Sequence, residues 1–245
     1  MRLYLYAIAE GLDSIGDVTG VQQEALTVTE VGPALVVGGW VADLPSLNRE
    51  TLVAQDSVVR ALHARANALL PMRFGSSVVN VEALTRLLDP LAPRVAECCA
   101  LVRGREQMTV RVLRTRTGGG GSAEGASGAE GAEGAGAEGA WGAESAEGAA
   151  EQKRPGTRYL EKLAAKRAPP EVTRLLEAVR VLQRAARIEP GRDPTMVATV
   201  YHLIDRGESD EYRRRLEPAV ATLVNLTVRV SGPAPAYAFA VLSAP

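Results

Sequence analysis

DSVVRALHARANALLPMRFGSSVV, residues 56–79, is the stretch in which the chain changes from a helical to an extended pattern. From Asn48 to Leu69, apolar residues recur at steps of three and four with charged residues between them. This spacing predicts an amphipathic helix with Asn48 as its N-cap. Pro71 favours the start or the edge of a strand over a helix interior. We therefore expect a strand that is entered through Pro71 and left through Gly75, in a chain that mixes helices and strands.

Arg73 lies in the middle of this expected strand. In an extended chain Met72 and Phe74 share one face and Arg73 takes the other. The arginine either contacts an anion or a partner beside the turn, or it points outward and pairs with an acid such as Glu82 or Asp56. The sequence leaves both interpretations open.

The residues before position 118 predict one sheet with helices packed on it. Apolar patterns indicate four further strands, at 2–9, 25–31, 33–41 and 108–114. They also indicate one further helix, at 80–101, with a bend at Pro90 and Pro93. The second and third of these strands form a hairpin beside the first. The predicted order is β-β-β-α-β-α-β, which is an α+β arrangement.

A segment of a different composition follows at residues 118–151. It holds half of the 24 glycines of the chain and seven glutamates, with no lysine or arginine. Because Trp141 is its one large apolar side chain, it cannot bury enough surface to offset its chain entropy. We interpret it as a flexible Gly/Ala/Glu-rich linker. The predicted divisions are an N-terminal α+β domain at 1–117, the linker at 118–152 and a C-terminal α+β domain at 153–245.

The C-terminal domain predicts a smaller split arrangement. Helical patterns cover 158–167 and 169–188, a strand pattern covers 196–205, a helix capped by Ser209 comes next, and a strand pattern covers 222–232. Antiparallel pairing of its strands is expected. The fold class is therefore α+β, with two small lobes joined by a flexible linker.

The charge is uneven along the chain, although the total is −1. The N-terminal domain is balanced, the linker is acidic, and residues 152–245 carry an excess of basic side chains. Those arginines are interspersed with acids, and no basic run is interleaved with aromatic residues. The sequence therefore gives no nucleic-acid surface, and no apolar run reaches the ~20 residues that span a bilayer.

Side chains that could perform chemistry are few. His63 and His202 have no cysteine, serine or carboxylate partner at a recognisable spacing, so we interpret both as structural. Cys98 and Cys99 are adjacent, which excludes an ordinary disulfide and fits a reduced, cytoplasmic compartment. We expect no catalytic residue, no metal site and no cofactor, and we expect the two thiols to be small buried residues.

Six stretches, spread over nearly the whole chain apart from the linker, follow the pattern of one protein family. They are YLYAIAEG (4–11), the passage 56–79, the strand after Gly104-Arg105-Glu106, GTRYLEKLAAKR (156–167), VYHLIDRGESDEYRRRLE (200–217) and SGPAPAYAFAVL (231–242). Within them LPMRFG and SGPxPxYxF are the most specific motifs. In these stretches the chain resembles the gas vesicle accessory proteins of the GvpL/GvpF family.

Two positions depart from the family pattern. The family helix often has a histidine just before an acid, where this chain has Gln55-Asp56. The C-terminal motif often has Trp-Pro-Pro, where this chain has Ala234-Pro235-Ala236. These departures leave the assignment to the F type or the L type open.

The resemblance implies a non-enzymatic protein needed to form gas vesicles, the hollow protein shells that make cells buoyant. It also implies two α+β lobes, the second of them ferredoxin-like. The implied partner is the major gas vesicle shell protein, with other gas vesicle accessory proteins as further candidates. A chaperone-like factor of this kind would cover apolar surface of shell subunits before assembly. The expected location is the cytoplasm and the gas vesicle, where the protein would be a minor structural component.

The residues expected to bind that partner belong to the two most specific motifs and are Arg73, Phe74, Tyr237 and Phe239. Two other classes of function stay open on the sequence. One is a ligand-sensing regulatory module, because ferredoxin-like lobes often serve as such. The other is a small-molecule transferase, which would require a pocket with clustered titratable groups.

Overall fold

The computed structural model describes residues 1–115, 170–191 and 194–241. The predicted linker at 118–152 and the predicted helix at 158–167 lie outside these residues.

Ten elements come before the predicted linker. They are β1 (Arg2–Leu12), β2 (Leu26–Val31), β3 (Ala34–Val41), α1 (Arg49–His63), β4 (Ala66–Pro71), β5 (Ser77–Val78), α2 (Val81–Leu88), a 3-10 turn (Asp89–Leu91), α3 (Ala92–Val102) and β6 (Arg105–Arg114). The predicted order of strands and helices is confirmed, with the short β5 added. The bend at Pro90 and Pro93 is also confirmed, because the 3-10 turn separates α2 from α3.

The elements after the predicted linker are α4 (Pro170–Val179), β7 (Ala185–Pro190), β8 (Met196–Asp205), α5 (Ser209–Ala221), β9 (Leu226–Ala234) and a 3-10 turn (Tyr237–Phe239). The strand predicted at 196–205 is confirmed. The helix predicted over 169–188 is wrong in its second half, because the observed helix α4 ends at Val179 and the strand β7 follows. The strand predicted at 222–232 starts later, since Asn225 takes a left-handed backbone with φ of 62°.

The first sheet has the order β2-β3-β1-β4, with β5 also paired to β1, and the pairs are antiparallel. The predicted hairpin beside β1 is confirmed. Helix α1 packs on one face, where it contributes Val58, Val59 and Leu62. Helices α2 and α3 pack on the other face. The central strand β1 is therefore buried on both sides, which explains why it is apolar almost without interruption.

Close approach of backbones requires one glycine in this sheet. Gly38 lies opposite Leu5 in the register of β3 and β1. A Cβ atom at Gly38 would lie 2.7 Å from the Tyr4 carbonyl oxygen. That distance is too short for any side chain, so the position takes glycine.

The second sheet has the order β7-β8-β6-β9, again with antiparallel pairs. Helices α4 and α5 cover one of its faces. Its first strand in chain order is β6, which the sequence placed at the end of the N-terminal sheet. That placement is wrong, since β6 hydrogen-bonds to β8 on one side and to β9 on the other. Among the described residues the element order is β-α-β-β-α-β, the order of ferredoxin-like motifs.

One core runs between the two sheets. It joins Leu3 and Ile8 of the first sheet to Leu203 of β8 and Phe239 of the C-terminal turn. All the described residues belong to one compact unit, which takes Met1–Arg116 and Ala168–Ala244. The fold is thus α+β with two antiparallel sheets, while the division at residues 117 and 153 stays a prediction.

The passage 56–79 folds differently from the prediction. Asn48 does cap α1, and its side chain accepts a hydrogen bond from the Thr51 backbone N–H at 2.9 Å. The helix ends at His63, however, and the strand β4 runs from Ala66 to Pro71. The strand therefore precedes Pro71 and ends there. The helical spacing of Ala66 and Leu69 misled the prediction, because both residues are buried in the strand.

Candidate functional site

The LPMRFG motif forms a turn that is attached to the first sheet. The Met72 backbone N–H donates to the Tyr6 carbonyl at 2.8 Å. The Gly75 N–H donates to the Tyr4 hydroxyl at 3.0 Å, and Gly75 has a positive φ of 84°, which favours glycine. The Phe74 ring meets the edge of the Tyr4 ring with 6.2 Å between centroids. These contacts hold the motif in a single turn.

Gln55 connects α1 to this turn. Its side chain is buried, and its Oε1 atom accepts a hydrogen bond from the Tyr4 hydroxyl. Its Nε2 atom donates to the Met72 carbonyl at 3.2 Å. A buried amide needs such partners, because an unpaired polar group in the core costs stability. Gln55 therefore positions the turn that carries Arg73 and Phe74.

Asp56, the next residue, connects α1 to the C-terminal motif. The Tyr237 hydroxyl donates to its Oδ1 atom at 3.1 Å. Its Oδ2 atom pairs with the Arg60 Nε atom at 2.5 Å, and the Arg60 Nη1 atom donates to the Pro233 carbonyl at 2.9 Å. Partial burial of the Tyr237 ring and the negative charge of Asp56 raise the pKa of Tyr237 above its usual range. The phenol therefore stays a hydrogen-bond donor.

The C-terminal motif is held from its other side by the second sheet. The Ala238 N–H donates to the Gln107 Oε1 atom at 2.8 Å, and the Arg187 Nη1 atom donates to the Ala238 carbonyl at 3.1 Å. The Phe239 side chain is 9% exposed and belongs to the core between the sheets. Phe239 thus anchors the segment that presents Tyr237.

The four residues expected to bind a partner are in different environments. Arg73 is exposed, and no hydrogen bond or ion pair of its guanidinium is found in the described part of the chain, so it pairs with neither Glu82 nor Asp56. Phe74 is half-buried against Tyr4, and Tyr237 is 36% exposed. Phe239 is in the core. The structure brings the two motifs to one helix, through the adjacent residues Gln55 and Asp56.

Sequence reasoning missed the roles of Tyr4, Gln55, Asp56 and Arg60. One signal was present in the helical pattern. Gln55 falls on the same face as the buried residues Val58, Val59 and Leu62. A polar residue on an apolar helix face indicates a buried hydrogen-bond partner.

Two histidines and two cysteines outside this site are buried or half-buried. Burial, followed by the nearby positive charge of Arg206, lowers the pKa of His63 to about 4. Burial lowers the pKa of His202 to about 4, and its ring contacts the Tyr212 hydroxyl. Cys98 and Cys99 are free and buried, as predicted, and burial raises the pKa of Cys99 to about 11. Both imidazoles are therefore neutral and the Cys99 thiol is protonated near pH 7.

A recess beside helices α2 and α3 gives little room for a small molecule. It is lined by Val31, Pro33, Ala34, Leu88, Ala92 and Val95 and has a volume of ≈ 20 Å³. That volume holds about one water molecule. Across residues 1–115, 170–191 and 194–241, three or more His, Cys, Asp or Glu side chains never come together as a metal site. In the same residues no helix has the length and apolar character needed to cross a bilayer.

Two solved structures share this fold. The chain is similar to the gas vesicle protein GvpF from Anabaena sp. PCC7120, with a TM-score of 0.69, 17% identity, and coverage of 99% of this chain and 97% of that one. It is also similar to gas vesicle protein GvpF from Microcystis aeruginosa, with a TM-score of 0.64, 14% identity, and coverage of 98% and 99%. A search of curated proteins by sequence found no match.

The fold thus defines an α+β protein with two antiparallel sheets, in which two distant motifs meet on one helix. Residues 2–241 match the family described as "Gas vesicle synthesis protein GvpL/GvpF", and the chain belongs to this family. The resemblance drawn from the sequence is confirmed. The protein therefore has a role in gas vesicle formation.

Proposed function

We propose that the protein binds the major gas vesicle shell protein during assembly and has no enzymatic activity. Family membership supports a role in gas vesicle formation, and the finer role is inferred from the surface of this chain. A shell subunit with one water-repelling face exposes apolar surface before it is assembled. A partner that covers this surface would prevent aggregation until the subunit joins the shell.

The observation that carries the proposal is the convergence of the two family motifs on α1. Gln55 holds the LPMRFG turn, and Asp56 holds the C-terminal segment. The convergence leaves the Arg73 guanidinium and part of the Tyr237 ring at the surface. Arginine and tyrosine are the residue types enriched where proteins bind one another.

Exposed apolar side chains support the same function. Leu44 and Leu47 precede α1, and Val53 lies on its first turns, with 42%, 60% and 42% of their surfaces exposed. Exposed apolar surface is where a protein can meet another protein. In this proposal Arg73, Phe74 and Tyr237 contact the partner, and Phe239 anchors the segment from within the core.

A pull-down from cells that co-express the shell protein tests the proposal. We expect enrichment of the shell protein with the wild-type chain over an unrelated bait. Arg73→Glu combined with Tyr237→Ala should lower the recovered shell protein at least fivefold. Arg86→Glu is a matched control, because Arg86 is also exposed on this half of the chain. Equal recovery with all three chains, or no enrichment over the unrelated bait, would contradict the proposal.

A further inference from the structure

The second sheet has a face opposite α4 and α5, and the core between the two sheets covers this face around Leu203. Along β6, Met108, Val110 and Val112 point toward the helices and are buried there. Because side chains alternate along a strand, Thr109 and Arg111 point to the opposite face. The C-terminal turn covers one end of that face through Gln107.

Two arginines lie directly opposite each other on this face. Arg111 of β6 and Arg229 of β9 are partners in the antiparallel register. Directly opposed side chains have Cβ atoms about 5 Å apart, and like charges in this position are unfavourable. No hydrogen bond or ion pair of either guanidinium is found among the described residues. Other arginines of the chain do have carboxylate partners, such as Arg103 with Glu10.

The nearest acid in the register does not neutralise this pair. Glu189 of β7 lies opposite Thr199, which in turn lies opposite Arg111. Its carboxylate pairs with Arg187 at 3.1 Å and accepts a hydrogen bond from Tyr201 at 3.2 Å. Within residues 1–115, 170–191 and 194–241, the positive charges of Arg111 and Arg229 therefore have no acid that neutralises them.

The position of β9 suits a polypeptide partner. Among the described strands, β9 ends the sheet order β7-β8-β6-β9. An edge strand offers backbone N–H and C=O groups to an added extended segment. Every second side chain of such a segment would lie on the same face as Arg229, because side chains alternate along a strand.

We propose that the face around Arg111 and Arg229 binds an extended acidic segment of a partner polypeptide. A carboxylate can accept two parallel hydrogen bonds from one guanidinium, so a segment with two acids satisfies both arginines. Nucleic acid is a poorer fit, since its binding needs many phosphate contacts, whereas the described part of this face has two arginines without a partner, beside Glu189. The surface is separate from the one that carries Arg73, and the inference does not depend on binding of the shell protein.

Fluorescence anisotropy with a labelled twelve-residue peptide of alternating glutamate and threonine tests this inference. We expect the full chain to bind the peptide saturably and to bind its glutamine counterpart at least tenfold more weakly. Affinity should fall as salt is raised, because the attraction is electrostatic. Arg111→Gln combined with Arg229→Gln should weaken binding at least tenfold. Arg49→Gln combined with Arg86→Gln is the matched control, because both of these arginines are exposed.

Thermal melting separates loss of binding from loss of folding. Removing one of two opposed like charges should leave the melting temperature of Arg229→Gln unchanged or higher at low salt. A variant that melts much lower would show that the arginine is a structural residue, which overturns the inference.

Any one of four binding results would also overturn it. The first is that the wild-type chain does not bind the peptide, and the second is that the Arg111→Gln, Arg229→Gln chain binds it as well as the wild type. The third is that a single-stranded DNA 12-mer binds the same face more tightly than the peptide. The fourth is that binding appears only after the seven glutamates of residues 118–151 are replaced by glutamine. That result would mean that acids of the chain itself occupy the face around Arg111 and Arg229.

Discussion

The Tyr237 hydroxyl donates a hydrogen bond to the Asp56 carboxylate at 3.1 Å, and this bond joins the C-terminal motif to the first helix across 181 residues of sequence. Asp56 also holds Arg60, whose guanidinium reaches the Pro233 carbonyl. The segment that carries Tyr237 is therefore tied to α1 at two points.

Tyr237→Phe tests the first of these points. It removes the hydroxyl and keeps the ring, so we expect a loss of about 1 kcal/mol in the free energy of unfolding. Urea unfolding of the wild type, Tyr237→Phe, Asp56→Ala and the double variant gives the coupling between the two side chains. Strictly additive effects would show that the hydrogen bond contributes nothing.

Gln55→Leu tests the buried amide. The Tyr4 hydroxyl and the Met72 carbonyl would each lose a partner, and we expect a loss of about 2–4 kcal/mol in the free energy of unfolding. Adding Tyr4→Phe should recover part of this loss, because it removes the stranded hydroxyl. Gln22→Leu, at an exposed position, is the control and should cost less than half as much. Equal costs at both positions would contradict the structural role of Gln55.

Gly38→Ala tests the close approach of β3 to β1. The added methyl group meets the Tyr4 carbonyl oxygen at 2.7 Å, so the strands must separate. We expect a loss of about 1–3 kcal/mol, measured by urea unfolding. At Gly39 the nearest atom would be in the Glu24 side chain, which can move. Gly39→Ala should therefore cost less, and the reverse order would refute the argument.

The buried imidazole of His202 makes stability depend on pH. Burial lowers its pKa from 6.5 to about 4, so the folded chain favours the neutral ring while the unfolded chain takes up a proton below pH 6.5. The contribution is present above pH 6.5 and is lost as the pH falls toward 4. We expect His202 to account for a loss of about 2 kcal/mol between pH 7 and pH 5. Urea unfolding of His202→Gln should show a shallower pH dependence than the wild type, and identical slopes would contradict the assignment.

The two adjacent thiols should be inert in the folded protein. Cys98 and Cys99 are buried, and burial raises the pKa of both, to about 11 for Cys99. The thiolate is the reactive form, so we expect Ellman's reagent at pH 8 to titrate neither thiol until urea is added. Rapid reaction in native buffer would show that the helix α3 opens readily.

Local sequence patterns were sufficient to predict a segment correctly where its environment is the same along its whole length. The strand β1, the hairpin of β2 and β3, and the strand Met196–Asp205 could be predicted from sequence. The cap at Asn48 is equally local, because its side chain bonds to a backbone three residues away. The family motifs were also recognisable, and membership in the GvpL/GvpF family follows from them.

Local patterns failed where a residue is buried by distant partners. Ala66 and Leu69 fit helical spacing, but they are buried in β4, which pairs with β1. The segment Ala185–Pro190 follows a helix and has no strong strand pattern, yet pairing with β8 makes it a strand. Its propensity is weak, and tertiary hydrogen bonding overrides it.

The amino-acid order alone determined the alternation of helices and strands, the N-terminal hairpin and the family of this chain, because those features depend on residues within a few positions of each other. Tertiary structure decided that β6 joins the second sheet, and that Gln55 and Asp56 hold two motifs far apart in sequence. Such contacts form between segments separated by many residues. Their geometry depends on how the sheets pack, which no local spacing of residues encodes.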